Sequence, residues 1–458
     1  MDIITVKEIK EMTNGTFINM TLNYKIDNVS IDSRNVNKKS LFIPIIGENH
    51  DGHTFLEDAY NNGCRTFLID KNHTFNKNDA NIIMVDDTTK GFGMISKAYK
   101  ERYNPFIISV TGSVGKTSTR DIIYSVLKTQ YKTLKNEGNL NNNIGIPKTL
   151  LNLDKSYKMA VIEMGMNHKG EISYLTDIVN PNMAVISNIG MSHIENLGSM
   201  ENIFNAKMEI TKNFDSNNVL FVNGDDPYLK RVKDRHPLYR VYTYGFNKGN
   251  DIYCTNYVIE KDHIDFTVVF NYTEEYFTIP SIAKHNIYNA MAAILVGRML
   301  DIPMPKIKEG LKNFTITKGR LTIINKKYLT IIDDTYNASL DSVSSALDVL
   351  KGFKNRKVAI LGDILEAGSY SSEIHKKIGT YAKDKCDFLV GVGENSKIMI
   401  NEAINNGFNK DNTRWYNTYD ELIKDIDTLI KYQDVVLIKA SHGICLDKVT
   451  EYLDKKYE

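Results

Sequence analysis

Cysteine is scarce in this chain: four residues in 458, Cys64, Cys254, Cys386 and Cys445, far apart and without a CxxC pair. That excludes a disulfide framework and a cysteine-ligated zinc site, and it fits a reducing compartment, the cytoplasm. Long apolar runs are missing too, so no segment has the length to span a bilayer. The start, MDIITVKEIKEM, is acidic and helical rather than a basic region followed by an apolar one, so neither an export signal nor a membrane anchor is expected. Nor is there an excess of one charge: 57 Lys and Arg face 56 Asp and Glu, leaving no global field to attract nucleic acid or a membrane surface. Internal repeats and low-complexity segments are absent as well. What remains is an ordinary globular composition, 25% charged and 42% hydrophobic. Its length exceeds one compact core of roughly 100 to 200 residues. Three domains are expected, at 1–102, 103–317 and 318–458, in a monomer.

The stretch that organises the rest is TGSVGKTS, Thr111 to Ser118. It follows the apolar run Phe106 to Val110 and precedes a helical pattern from Arg120 to Leu127, so it reads as a strand, a glycine-rich turn and a helix. That is the context of a phosphate-binding loop. Backbone N–H groups of Gly112, Ser113, Val114 and Gly115 can curl around phosphate oxygens, Lys116 adds a point charge, Thr117 offers a hydroxyl to Mg²⁺, and Ser118 continues the helix start. The longer form of the motif has glycine where this chain has Val110, so the match is to the shorter GxxGKT form.

Around this loop the chain alternates strand and helix patterns. In the first unit Val29 to Ile31, Leu41 to Ile46, Thr66 to Ile69 and Ile82 to Val85 read as strands, and Gly93 to Tyr103 as a helix. The loop Gly47-Glu48-Asn49-His50-Asp51-Gly52-His53 mixes donors, acceptors and flexible backbone, and a polar-ligand loop and a plain solvated turn fit it equally. In the centre, strands at Ala160 to Glu163, Ala184 to Ser187 and Val219 to Val222 imply a mostly parallel sheet wrapped by helices. Two-residue alternation from Ile252 to Ile279 adds antiparallel strands. A third unit, with strands at Leu329 to Ile332, Lys357 to Leu361, Phe388 to Gly391 and Val435 to Ile438, is doubly wound and Rossmann-like. No GxGxxG follows its first strand, so no dinucleotide is expected there. The fold class is therefore α/β in three domains: a small α/β domain, a central phosphate-loop domain with appended antiparallel strands, and a Rossmann-like third domain.

Several residues stand out chemically. Glu163 ends an apolar strand, where a carboxylate needs a partner, either a salt bridge or, as in other phosphate-loop enzymes, Mg²⁺. His193 in SNIGMSHIENLGS follows a strand end and could face the same site. Lys207, on a helix starting near Met200, would by residue chemistry alone reach to solvent. Two acidic loops at strand ends, Asp333-Asp334-Thr335-Tyr336-Asn337-Ala338 and Gly362-Asp363-Ile364-Leu365-Glu366-Ala367-Gly368, gather carboxylates where open α/β sheets bind ligands.

In this order, these pieces resemble the Mur ligase superfamily over nearly the whole chain. GENHDGHTF, VIEMGMNHKGEI, NNNIGIPKTLLNL and GDILEAG look like its branch that joins D-alanyl-D-alanine to UDP-N-acetylmuramoyl-tripeptide in peptidoglycan synthesis. The resemblance implies an ATP- and Mg²⁺-dependent ligase working through an acyl phosphate. By position it assigns Ser33, Arg34 and the loop Gly47, Asn49, His50, Asp51, Gly52 and His53 to the UDP-sugar end. Thr117, Glu163 and His193 go to Mg²⁺, Asn286 or Asn289 to the adenine, and Arg320 with Asp334 to the ATP phosphates and ribose. The segment AKMEI implies that Lys207 is carbamylated and joins the metal ligands. One departure is Lys439-Ala440-Ser441-His442, where many relatives have Lys-Gly-Ser-Arg, and imidazole is no substitute for guanidinium. Sister ligases adding a single amino acid, or glutamate to a folate, share the phosphate loop, and GENHDGHTF argues against them. A phosphate-loop ATPase that is no ligase would have no need of the third domain's ligand loops.

Overall fold

Continuous apolar runs bury both faces of a strand, and the central sheet is built from them. The computed structural model describes residues 1–457, the side chain of Glu366 lying outside the described residues. Phe106–Thr111 runs through the middle of a nine-stranded sheet, parallel to Met159–Glu163 on one side and Met183–Ile186 on the other. Beyond Met159–Glu163 lies Thr133–Lys135; beyond Met183–Ile186 follow Val219–Asn223, Arg240–Gly245 and Ile252–Ile259, all parallel. Ile264–Phe270 and Thr273–Ile279 then add antiparallel strands. The burial pattern changes with the sequence pattern: every residue of Met159–Glu163 is buried, whereas Ile264 to Val268 alternates, as in a sheet with one wet face.

Parallel strands place all their carboxyl ends on one edge, so Thr111, Glu163, Ile186 and Asn223 deliver their loops to the same place. Besides the two-stranded pair Ile4–Thr5 with Lys25–Ile26, two further sheets are formed by the first and last parts of the chain. The first comprises Thr16–Asn19, Asn81–Val85, Thr66–Asp70, Ser40–Phe42 and Asn28–Ser30, parallel except at Thr16–Asn19. The last comprises Thr322–Asn325, Thr330–Asp333, Val435–Lys439, Lys357–Gly362, Phe388–Val392 and Thr413–Tyr416, parallel except at Thr322–Asn325. Among the described residues no helix is long and apolar enough to cross a membrane.

Some boundaries differ from the sequence pattern for local reasons. The strand read from Leu41 to Ile46 stops at Phe42: the Ile43 N–H still reaches Ser30 O at 2.9 Å, but Pro44 has no donor to continue the ladder. The helix read from Gly93 begins at Thr88, because the Asp87 side chain accepts from Lys90 N–H and caps it.

The helix Lys116–Leu127, which leaves the glycine-rich turn, lies so close to Met304–Lys312 that a Cβ at Gly310 would stand 2.5 Å from Val126 Cα. Ser125 Oγ donates to Gly310 O at 2.8 Å across the same crossing. Gly310→Ala should therefore force the helices apart at a cost of about 1–3 kcal/mol. Calorimetry should show a lower unfolding midpoint for the central domain; an unchanged midpoint would contradict the packing argument.

Candidate functional site

The turn at Gly112 to Gly115 can be made only without side chains at its glycines. Gly112 has φ +150°, and a Cβ there would collide with Ser187 Oγ at 1.9 Å; Gly115, at φ +82°, precedes the helix that starts at Lys116. The loop is held from the next strand's end. Asn188 Oδ1 accepts from Ser113 N–H at 3.1 Å and Val114 N–H at 2.8 Å, and Ser113 Oγ accepts from Gly190 N–H at 2.8 Å. Lys116 Nζ folds back over the turn to donate to Gly112 O at 3.0 Å. The helix start behind it presents N–H groups that have no intrahelical acceptor, a setting suited to an anion.

Thr117 faces the neighbouring strand, where its hydroxyl donates to Glu163 Oε2 at 2.8 Å. Glu163 is buried and has further donors: Asn141 Nδ2 at 2.7 Å from Oε1 and Arg120 at 3.3 Å from Oε2. Arg120, itself buried, continues to Asp121 at 2.9 Å, and Asp121 accepts from Lys135 at 3.0 Å and Thr317 Oγ1 at 2.7 Å. His193 sits at φ +61° before the short helix Ile194–Leu197 and lines the cleft. Lys207 does not reach solvent. It is 1% exposed on the helix Met200–Met208, capped by Ser199. Burial, reinforced by the charge of Lys116, pushes its pKa well down, and among the described residues no hydrogen bond or ion pair joins its Nζ.

The third domain closes this arrangement. Arg320 reaches across to donate to Thr117 Oγ1 at 2.8 Å, its guanidinium lying 4.0 Å over the Tyr336 ring and its buried Nε without a partner among the described residues. Asp334 pairs with buried Lys439 at 2.7 Å and accepts from Leu321 N–H. On the other wall, Asn289 donates to Asn286 Oδ1 at 2.8 Å and accepts from Thr119 Oγ1 at 2.9 Å. A cleft of about 1400 Å³ is lined by Ser113 to Ser118, Glu163, His193, Asn286, Asn289, Arg320 and Asp334.

Other expected residues lie elsewhere. The cleft's first-domain lining is Asp87, Thr89 and Lys90, whereas Ser33, Arg34 and Gly47 to His53 are not part of it. Arg34 is exposed and forms two hydrogen bonds with Asp32 at 2.9 Å. Both acidic loops reach the cleft, the second through Ile364, Leu365 and Ala367, but their aspartates differ. Asp334 and Asn337 line the cleft, but Asp363 turns away to accept from Asn395 and Ser396 N–H at the start of Ser396–Asn405.

Comparison with known proteins bears on what such a cleft is for. Residues 25–118 match the Mur ligase family catalytic domain, 110–297 the Mur ligase middle domain, and 319–442 the Mur ligase glutamate ligase domain. The chain is 36% identical over 454 residues to the UDP-N-acetylmuramoyl-tripeptide–D-alanyl-D-alanine ligase of Bacillus subtilis, covering 98% of each. It belongs to the Mur ligase family. Crystal structures of MurF from Acinetobacter baumannii (28% identical, TM-score 0.92, 99% of each chain) and of the MurF ligase from Thermotoga maritima in complex with ADP (26%, 0.84, 94% of this chain and 97% of that one) share the fold.

Sequence reasoning about this Mur ligase missed Arg120, Asn141, Asn188 and the Asp334–Lys439 pair. Arg120 had a signal, a cation on the buried face of a helix, and Asn141 opens the quoted NNNIG run. Asn188 had none, because its contacts depend on how two loops meet. Arg120 separates two buried carboxylates, so Arg120→Met should destabilise this Mur ligase by about 3–5 kcal/mol. Chemical denaturation would measure it, and a loss well under 1 kcal/mol would show the carboxylates to be otherwise compensated.

Proposed function

We propose that this Mur ligase joins D-alanyl-D-alanine to UDP-N-acetylmuramoyl-tripeptide at the expense of ATP, in the cytoplasmic stage of peptidoglycan synthesis. The observation that carries this is the 36% identity to the Bacillus subtilis ligase across 98% of both chains, which takes in the first domain as well as the phosphate loop. In this reading residues 1–102 hold the UDP end, 103–317 hold ATP, and 318–458 bring the dipeptide. The distance of Ser33, Arg34 and Gly47 to His53 from the cleft is then that between the two ends of an extended substrate.

A carboxylate resists attack by an amine, so the tripeptide's terminal carboxylate oxygen first attacks the γ-phosphorus and ADP leaves. The dipeptide's neutral amine then attacks the acyl carbon, inorganic phosphate leaves, and the nitrogen gives up one proton to the departing phosphate or to water. Lys116 offsets charge on the transferring phosphoryl group, and Arg320, whose Nε has no partner among the described residues, is poised to do the same from the third domain. Asn286 or Asn289 takes the adenine, and Asp334, steadied by Lys439, takes the ribose. Closure of the third domain keeps water from the acyl phosphate.

Thr117 Oγ1 and Glu163 Oε2, 2.8 Å apart, are hard oxygen donors close enough to share a divalent cation, and His193 lines the same cleft. These residues fit Mg²⁺, which when bound offsets negative charge on the nucleotide phosphates. Lys207 fits a carbamate. Its amine is buried, depressed in pKa and without a hydrogen-bond partner among the described residues. Addition of the neutral amine nitrogen to carbon dioxide, with loss of one proton, turns a cation into an anion with two oxygens.

Phosphate release should require ATP and both other substrates; release without the dipeptide would point to an ATPase, and release with a single amino acid to a sister ligase. Lys116→Ala should abolish ligation with the fold intact by circular dichroism. Activity within about tenfold of wild type, a loss of only ~1.4 kcal/mol, would remove Lys116 from the reaction. For Lys207, depletion of carbon dioxide and bicarbonate should lower the rate and stepwise addition of bicarbonate should restore it. Lys207→Ala should be inactive throughout, and a wild-type rate from it would rule out the carbamate.

A further inference from the structure

Away from the cleft, the first domain contains a closed cycle of charged and polar side chains. The loop 47–53 follows the strand Ser40–Phe42, and His73 follows the adjacent parallel strand Thr66–Asp70, so both loops emerge at the same sheet edge. His73 Nδ1 lies 2.8 Å from Asp70 Oδ1 and its Nε2 lies 2.9 Å from Asp51 Oδ2. Asp51 Oδ1 is 2.8 Å from His53 Nδ1, and His53 Nε2 is 3.3 Å from the Asp70 backbone nitrogen. The two imidazoles stack with centroids 3.8 Å apart and planes 6° from parallel.

These contacts settle where the protons sit. Asp70 N–H can only donate, so His53 Nε2 accepts, its proton is on Nδ1, and Asp51 receives it: His53 is neutral. Both nitrogens of His73 meet carboxylate oxygens, which only accept, so His73 carries two protons and a positive charge. The same atoms could suggest a metal site, since Asp51, His53 and His73 offer donor atoms within 4.8 Å of one another. The stacking argues otherwise. Imidazole lone pairs lie in the ring plane, and two nearly parallel planes have no nearby point in common where one ion could satisfy both.

We propose that His73 is a positioning residue for the nucleotide substrate: as an imidazolium bridging Asp70 and Asp51, it fixes the loop 47–53 in the conformation that receives the UDP end. The proposal rests on the reading of that loop as the UDP site. Gly47 N–H bonds to His50 O within the loop and Gly52 N–H to Ile45 O just before it, both at 2.9 Å; the loop's charged tie to His73 runs through Asp51, beside the neutral one from His53 to Asp70 N–H. Facing His73 are Asp70, Asp51 and the neutral ring of His53, while Lys71, next to Asp70 in the chain, is paired with Asp86 at 3.0 Å.

The hydrogen bond to Asp70 raises the His73 pKa above the ordinary histidine value, burial opposes it, and the charges of Asp70 and Asp51 add to the rise. A cation with a raised folded-state pKa gives its full tie below the ordinary value and loses it as pH climbs through the raised one. Loop order, and with it substrate affinity, should therefore fall toward alkaline pH.

The test combines a nitrogen-15 NMR titration of the His73 ring in the full-length protein with KM for UDP-N-acetylmuramoyl-tripeptide across the same pH range. His73 should titrate above the ordinary value, and KM for this substrate should rise through that pKa while KM for ATP does not. His73→Gln should show a KM raised by about tenfold or more over wild type below that pKa, the scale of one charge-assisted hydrogen bond, and should converge on wild type above it. His73→Arg, a permanent cation with donors on two sides, should keep the low KM and lose its pH dependence. An ordinary or lowered His73 pKa, or a wild-type KM for His73→Gln, would overturn the proposal, as would zinc retained by wild type and lost by His73→Gln. Asn49→Ala separates the two possible failures. If it raises KM while His73→Gln does not, the clamp alone is wrong; if neither does, the loop is not the UDP site.

Discussion

The site depends on one buried carboxylate. Glu163 ends a strand whose every residue is buried, and it is stable there because Arg120, Thr117 and Asn141 all donate to it. A lone carboxylate at that depth would be protonated or would disrupt the fold. Each partner ties down a different piece: Thr117 the phosphate-loop helix, Asn141 the NNNIG segment, and Arg120 the chain of contacts through Asp121 to Lys135 and Thr317. Folding the central sheet thus arranges the reacting edge, since the charges that satisfy the core also orient the cleft.

The same network couples the domains. Thr317 of the linker binds Asp121, and three residues later Arg320 reaches Thr117, so the third domain is anchored to the helix Lys116–Leu127 at both ends of a short, glycine-containing turn with Gly319 at φ +76°. A second contact forms at His285 of the central domain, whose Nδ1 lies 2.9 Å from Ser345 Oγ of the third. Burial pulls the pKa of His285 down, with Asp334 opposing and Lys439 reinforcing, so a neutral ring fits between that ion pair and the helix Leu340–Lys351. Motion of the third domain would have to exchange these contacts for ones with ATP and dipeptide, which makes the cleft a place where substrate binding and domain closure compete for the same groups.

Much of the fold was legible along the chain. Apolar runs such as Met159–Glu163 and Val435–Lys439 are buried on both faces, and that requirement acts residue by residue. Edge strands were less so: Thr16–Asn19, Thr322–Asn325 and Thr413–Tyr416 are short, carry polar residues and owe their pairing to a single neighbour. Arg240–Gly245 is interior, yet its exposed and half-buried first residues broke the apolar run. Within the site, Gly112, Gly115, Lys116 and Thr117 announce themselves because a phosphate loop is local chemistry at fixed spacing. The carboxylates did not sort themselves: Asp334 and Asp363 occupy similar strand ends, but only the former faces the cleft, the latter having a helix start to satisfy.

By itself the sequence determined the α/β class and the glycine-rich turn, through periodicity and spacing, and pointed to the family through the resemblance of its motifs; none of these needs coordinates. Tertiary structure alone decided where charge goes. Lys207 reads as a surface lysine on a short helix and is instead buried beside the field of Lys116; His73 reads as one polar residue in a loop and is instead bracketed by Asp70 and Asp51. The physical reason is the same in both cases. A side chain's protonation state and partners are set by desolvation and by charges brought close from distant parts of the chain, and those distances exist only once the sheets have assembled.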